Sequence, residues 1–326
     1  MNNQKKGILL VLSTAFISGI SIFINRFGVN VVNPYIFTGL KNLIAVLFLL
    51  VFILALGERR QFKALSKRQW RRLVLIGLIG GSVPFLLFFK GLSMSTGAEG
   101  AFLHKIIFLP VIFLAWIFLR EKINKNLVIA TILFLIGNIL LLKMTPRLIL
   151  DKGDLLISVA VLFWAIEQII SKKALKEISP KILAIGRLGF GFAFILLFWI
   201  FTGQINLLTN LVVRDLFWIW GTAGFLFFYV LTWYSGLKRL KASTAVCILT
   251  LGAPITAILE MAQSSKFDFQ KSLGAFLVFL GVIFLISLKR VSLVFLKGLV
   301  PKQSLWLKED KKINLGTAPE ESENLK

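Results

Sequence analysis

Long apolar stretches alternate with short polar, mostly basic connections along the chain. The apolar runs fall at roughly 7–25, 35–56, 72–91, 97–119, 126–142, 154–173, 181–202, 214–236, 242–263 and 269–288. Each is about twenty residues long. At ~1.5 Å of rise per residue, that is enough for a helix to cross ~30 Å of hydrocarbon. The runs are continuous and do not alternate with period two, so a transmembrane β-barrel is excluded. The pattern predicts an all-α polytopic membrane protein with ten transmembrane helices.

The second half of the pattern repeats the first. Asn33-Pro34 ahead of Lys41 returns as Ser179-Pro180 ahead of Arg187. Gly91-Leu92 matches Gly236-Leu237, Leu109-Pro110 matches Ala253-Pro254, and Gly137 matches Gly281. Each half therefore carries five spans. Five is odd, so the second half enters the membrane from the opposite side, and two inverted five-helix repeats are expected. The expected organisation is a first repeat over 1–142, a linker over 143–153 containing Pro146, a second repeat over 154–288, and a tail over 289–326. In that tail, 290–307 mixes apolar residues with Lys297 and Lys302 and reads as lying on the inner leaflet. The polar remainder reads as disordered.

Composition agrees with this picture. Hydrophobic residues make up 57% of the 326 and charged residues only 16%, below the ~25% charged content of soluble domains. The net charge of +23 raises the question of nucleic acid, but Lys and Arg sit in short loops between spans, where they set orientation. Basic residues crowd the N-terminus and the loops after spans 2, 4, 6 and 8, including Arg59, Arg60, Lys63, Arg120, Lys122, Lys173, Lys176, Lys238 and Arg239. The opposite loops hold few. Both termini are expected in the cytoplasm, with the chain multi-pass in the cell membrane. Partners implied are the lipid bilayer and a small-molecule solute, with no nucleic acid; monomer and homodimer both remain open. The single Cys247 lies within a span and precludes an intrachain disulfide. With one His as well, the composition argues against a metal site, and no cofactor is implied.

These paired motifs, together with Leu109-Pro110-Val111 running to Trp116, Leu119 and Glu121, make each half resemble an EamA-type repeat of the drug/metabolite transporter superfamily. The resemblance covers 7–142 and 154–288. It implies ten helices, cytoplasmic termini, a central solute cavity between the halves, and transport of small metabolites, often export of amino acids or related compounds. The chain departs from the family pattern in carrying Lys41 where Arg is common. Ser265 stands where the first half has Glu121. Basic residues typical of the ninth helix of phosphate translocators are missing from 242–263, which weakens a sugar-phosphate reading.

Ionisable groups at membrane depth face a cavity or a partner, because leaving them in hydrocarbon is costly. The candidates are Lys41, Glu99, His104, Lys105, Glu167, Arg187 and Glu260. Lys41 and Arg187 are mates under the repeat, on opposite sides of the midplane. Glu167 and Arg187 lie at similar depth on consecutive spans and are expected to pair, as a structural contact or a cytoplasmic gate. The counterpart of Glu167 in the first half is Ser21, so Lys41 has no matching acid. With Lys105, it gives the outer half a positive excess suited to a carboxylate. Expected substrate contacts are Lys41, Lys105, His104, Arg187 and Trp164; expected gating or coupling residues are Glu167, Arg187 and Glu99. Glu260 reads as an interfacial carboxylate touching water or Lys266.

The leading expectation is a secondary transporter, an exporter of a small polar metabolite such as an amino acid or another carboxylate-bearing solute, working by alternating access. Two alternatives compete with it. Export of apolar cations would call for an acid in the first span, which has none. A transporter-fold protein with an enzymatic or sensory role would, if an enzyme, need a base, nucleophile or metal cluster that the sequence does not offer.

Overall fold

The protein was described from a computed structural model, which defines residues 2–29, 32–58, 60–92, 94–95, 102–142 and 151–298. Glu99 and most of the tail lie outside them. Ten helices are long and apolar enough to span a membrane: α1 Asn3–Val29, α2 Pro34–Ala55, α3 Lys67–Gly91, α4 Phe102–Leu119, α5 Lys125–Leu142, α6 Lys152–Ala174, α7 Pro180–Thr202, α8 Val213–Arg239, α9 Ala242–Ser264 and α10 Phe269–Gly298. The last runs ten residues past the expected end of its span, and α3 starts five residues before its expected start.

The repeated sequence motifs become repeated local structures. Asn33 and Ser179 are N-caps: the Asn33 side chain accepts from Tyr35 N at 3.0 Å, and the Ser179 hydroxyl accepts from Ile182 N at 3.4 Å. Pro34 and Pro180 follow at the first helical position, where their missing N–H costs nothing. Pro110 and Pro254 act deeper. Each deprives the carbonyl four residues earlier of its helical donor. A tighter turn forms instead, with Leu109 N bonding to Ile106 O and Ala253 N to Thr250 O. Both α4 and α9 are therefore interrupted at matching places.

Helix α3 carries a third irregularity. Gly77–Ser82 is wound as a π-turn, with Val83 N reaching back to Leu78 O. Pro84 has no N–H to offer the Gly80 carbonyl four residues earlier, and side chains of other helices reach that oxygen.

Paired glycines bring helix backbones close together. The face of α3 at Gly91 lies on α6 at Gly153: a Cβ at Gly91 would sit 2.7 Å from Gly153 O. The mates of these residues, Gly236 on α8 and Gly7 on α1, also pack together, with a Cβ at Gly236 lying 3.3 Å from Gly7 O. Helices α5 and α10 meet at Gly137 and Gly274. Small residues let backbones approach, because lipid supplies no hydrophobic drive for helices to associate. Exchanging the two halves maps α1–α8 onto α3–α6, α2–α8 onto α3–α7 and α1–α9 onto α4–α6, and all of these pairs are in contact.

Candidate functional site

Three helices converge on the π-turn of α3. Trp164 of α6 donates its Nε1–H to Gly80 O at 3.1 Å, and Arg187 Nη2 of α7 donates to the same oxygen at 3.3 Å. Asn42 of α2 donates to the neighbouring Gly81 O at 3.3 Å. Proline chemistry thus creates an acceptor and two distant helices use it. A buried carbonyl would otherwise remain unsatisfied.

From this point a chain of polar groups runs across the bundle. Arg187 Nη1 donates to Tyr234 Oη at 3.3 Å, and that hydroxyl donates to Glu167 Oε1 at 2.9 Å. Ser171, one turn further along α6, also donates to Glu167 Oε1. Glu167 is 1% exposed. The direct Glu167–Arg187 ion pair expected from depth alone is absent among the described residues; Tyr234 stands between the two charges. Its phenol acts as acceptor to one and donor to the other, which links the charges without bringing them into contact. The guanidinium is left under-bonded. Both of its hydrogen bonds are 3.3 Å long, and its Nε is buried without a partner among the described residues.

The same arrangement exists in neutral form in the first half. Asn25 Nδ2 donates to Ser21 Oγ at 3.0 Å, and Ser21 and Asn25 occupy in α1 the places that Glu167 and Ser171 occupy in α6. Lys41, the mate of Arg187, therefore faces no carboxylate from this source. Its ammonium lies 5.1 Å from the centre of the Phe37 ring, a cation–π contact within one helix turn. Neither Lys41 nor Lys105 has a salt bridge among the described residues.

His104 is brought against Trp164: the ring centres are 5.2 Å apart and the planes stand at 67°. Phe85 and Phe88 pack on the same indole. His104 and Trp164 thus belong to one aromatic cluster, which touches the polar chain through the Trp164 Nε1–H. Lys105 is half-buried next to His104, just before the α4 break.

Other charged residues hold the frame. Glu121 caps α9 from the other half, accepting from Ala242 N at 2.7 Å and from Ser243 N at 3.1 Å, with the Ser243 hydroxyl adding a third bond. Lys172 serves the other end of the same junction, donating to Leu237 O at 2.6 Å and also to Leu240 O at the end of α8. A carboxylate at a helix N-terminus and an ammonium at a C-terminus both oppose the helix dipole. The matched position of Ser265 needs adjusting by one residue. Ser265, with φ of 51°, takes the left-handed cap seat that Arg120 takes after α4, with φ of 53°. Glu260 bonds Lys271 at 3.3 Å.

Sequence reasoning passed over Tyr234 and the Gly80 carbonyl. Tyr234 is aligned with Phe89 in the other half, so the repeat gave it no emphasis. Pro84, one turn after a Gly-Gly pair, was the available signal for a freed carbonyl.

A profile of the EamA-like transporter family matches residues 5–143 and again 151–287. The chain belongs to the EamA-like transporter family. Curated relatives agree. An uncharacterized transporter of Bacillus subtilis (strain 168), YyaM, is 23% identical over 84% of this chain and 92% of its own length. Another from the same organism, YetK, is 27% identical over 88% of each chain. An uncharacterized transporter of Archaeoglobus fulgidus is 25% identical over 86% of this chain. A crystal structure with 17% identity superposes with a TM-score of 0.70 over 87% of this chain and 97% of that one, which shows the shared fold. This EamA-like protein is thus a ten-helix membrane protein of a family of transporters, and a small-molecule solute and the bilayer are its implied partners.

Proposed function

We propose that this EamA-like protein is a secondary transporter that exports a small, carboxylate-bearing polar solute, an amino acid or similar metabolite, by alternating access. The two halves enter the membrane in opposite senses, since each carries an odd number of spans, and both termini face the cytoplasm. Support comes from the contacts that survive exchange of the halves and from the matched breaks in α4 and α9, the kind of interruption that builds midplane sites in inverted-repeat transporters. The observation that carries the solute class is the half-buried, under-bonded guanidinium of Arg187, together with Lys41 and Lys105, which have no acid partner among the described residues. Cations left unpaired at membrane depth are costly unless an anion visits them. In this reading Lys41, Lys105 and His104 receive solute in the outer half, Arg187 and Trp164 receive it in the inner half, and Glu167 governs Arg187.

Thermal-shift screening of the purified protein against small carboxylates, amino acids and apolar cations tests the proposal, because a ligand that binds the folded state raises its apparent stability. Carboxylate-bearing compounds should raise the melting temperature of the parent. Lys41→Ala and Lys105→Ala should each weaken that binding about 10–150-fold, the loss of one desolvated charge-assisted hydrogen bond. Stabilisation only by apolar cations, or carboxylate binding unchanged in both variants, would refute the assignment.

A further inference from the structure

At the end of the bundle assigned to the cytoplasm lies a cleft of about 380 Å³. That is within the range of small-molecule sites, about 300–1,000 Å³. Its walls mix polar and apolar groups: Gln61, Gln69, Glu177, Ser179 and Lys238 line it, with Ile182 among the apolar residues. Glu177 is held by Arg72 at 2.8 Å, so one wall carries a neutralised acid while Lys238 stays basic. Two of the helices that form the cleft are those that hold the polar chain below it. Arg187 lies five residues past Ile182 on α7, and Tyr234 lies four residues before Lys238 on α8. At ~1.5 Å per residue, both sit about 6–8 Å beneath the cleft residues of their own helices.

We infer that this cleft is the cytoplasmic entry vestibule for an anionic solute, and that the Tyr234 hydroxyl is the gate at its floor. The inference rests on the orientation proposed above. In the observed state Tyr234 ties α8 to α6 through Glu167 and to α7 through Arg187, and Arg187 ties α7 to the π-turn of α3. Helices α3, α6, α7 and α8 are thus stitched together under the cleft. The α7 arm of the stitch is the weak one, since both Arg187 bonds are long. A carboxylate descending from the vestibule offers Arg187 a better acceptor than a phenol, because a bond between two ions is the stronger one. Taking it would release Tyr234 and unfasten α7 from α8. Tyr234 acts as a positioning residue here: it sets where Arg187 points and whether the floor is closed.

Access to a buried thiol measures the gate without requiring transport. In a Cys247→Ala background, Gln69→Cys reports on the vestibule wall. Gln168→Cys, the buried neighbour of Glu167, reports on the interior. Sulfonatoethyl methanethiosulfonate, a small anionic reagent, is applied to either face of sealed vesicles. From the cytoplasmic face, Gln69→Cys should react quickly whether residue 234 is Tyr or Phe. Gln168→Cys should react slowly with Tyr234 and about tenfold faster with Tyr234→Phe, the change expected when hydrogen bonds worth a kcal/mol or so are removed from the closed state. Glu167→Gln, which keeps the shape of the side chain, should also speed the reaction and serves if Tyr234→Phe is poorly folded. Equal rates with Tyr and Phe at 234 would overturn the gate. Reaction of Gln69→Cys only from the opposite face would overturn the orientation beneath it.

Discussion

Arg187 shows how a half-buried side chain can be engaged and still be available. A guanidinium has five N–H donors in a fixed fork, and here only two atoms of that fork are engaged, at 3.3 Å each. Tyr234 keeps the charge of Glu167 within reach without letting a close ion pair form. Removing one member should therefore cost more than removing both charges. Arg187→Met alone leaves a carboxylate buried, at about 3–5 kcal/mol if the site is dry. Glu167→Gln alone leaves the half-buried guanidinium without its carboxylate, at a smaller cost because water reaches it. The double change Glu167→Gln with Arg187→Met should melt higher than either single variant. Additive losses in melting temperature would show that the two residues act independently. The individual charges were legible in the sequence because ionisable residues are rare inside spans. Their connection was not, since it runs through a tyrosine that is 47 residues from Arg187 and 67 from Glu167 in the chain.

Among the helices, proline and glycine decide the geometry. The caps at Asn33 and Ser179 and the breaks at Pro110 and Pro254 were readable as repeated motifs, because each follows from a missing N–H or a short polar side chain. The π-turn was less readable, since it depends on Pro84 and on close contact with α7 together. Glycines that look alike in sequence separate clearly in the structure. A Cβ at Gly81 would lie 2.2 Å from Arg187 O, whereas the nearest atom to a Cβ at Gly189 is 3.9 Å away. Gly81→Ala should push α3 off α7 and sharply reduce the yield of monodisperse protein. Gly189→Ala should be tolerated, and stabilising by up to ~1 kcal/mol through helix propensity. The junction of α8 and α9 gives a further test. Glu121→Ala removes all three bonds at the start of α9 and should cost about 1–2 kcal/mol, seen as a lower melting temperature; Glu121→Gln, which retains acceptors, should recover part of it. No change on Glu121→Ala would mean that water replaces the cap.

At the scale of the whole molecule, the ten spans and the duplication were legible because hydropathy and parity act over hundreds of residues. The packing of one half on the other was not, because it depends on which glycines meet. Orientation can be checked directly. Ser66 caps the start of α3, and Thr209 lies in the connection between α7 and α8. Cysteines placed at Ser66 and Thr209, in a Cys247→Ala background, should label from opposite faces of sealed vesicles; labelling from one face would contradict the inverted halves.

Transport itself is tested most directly by counterflow. Purified protein is reconstituted into vesicles loaded with an unlabelled carboxylate-bearing solute identified by thermal shift, and uptake of the labelled solute is followed over time. A transporter that alternates access should give a transient accumulation of label above equilibrium, abolished by Arg187→Met and reduced by Lys41→Ala. Label that enters no faster than into protein-free vesicles, although the solute binds, would contradict transport and leave this EamA-like protein a binding protein on a transporter fold.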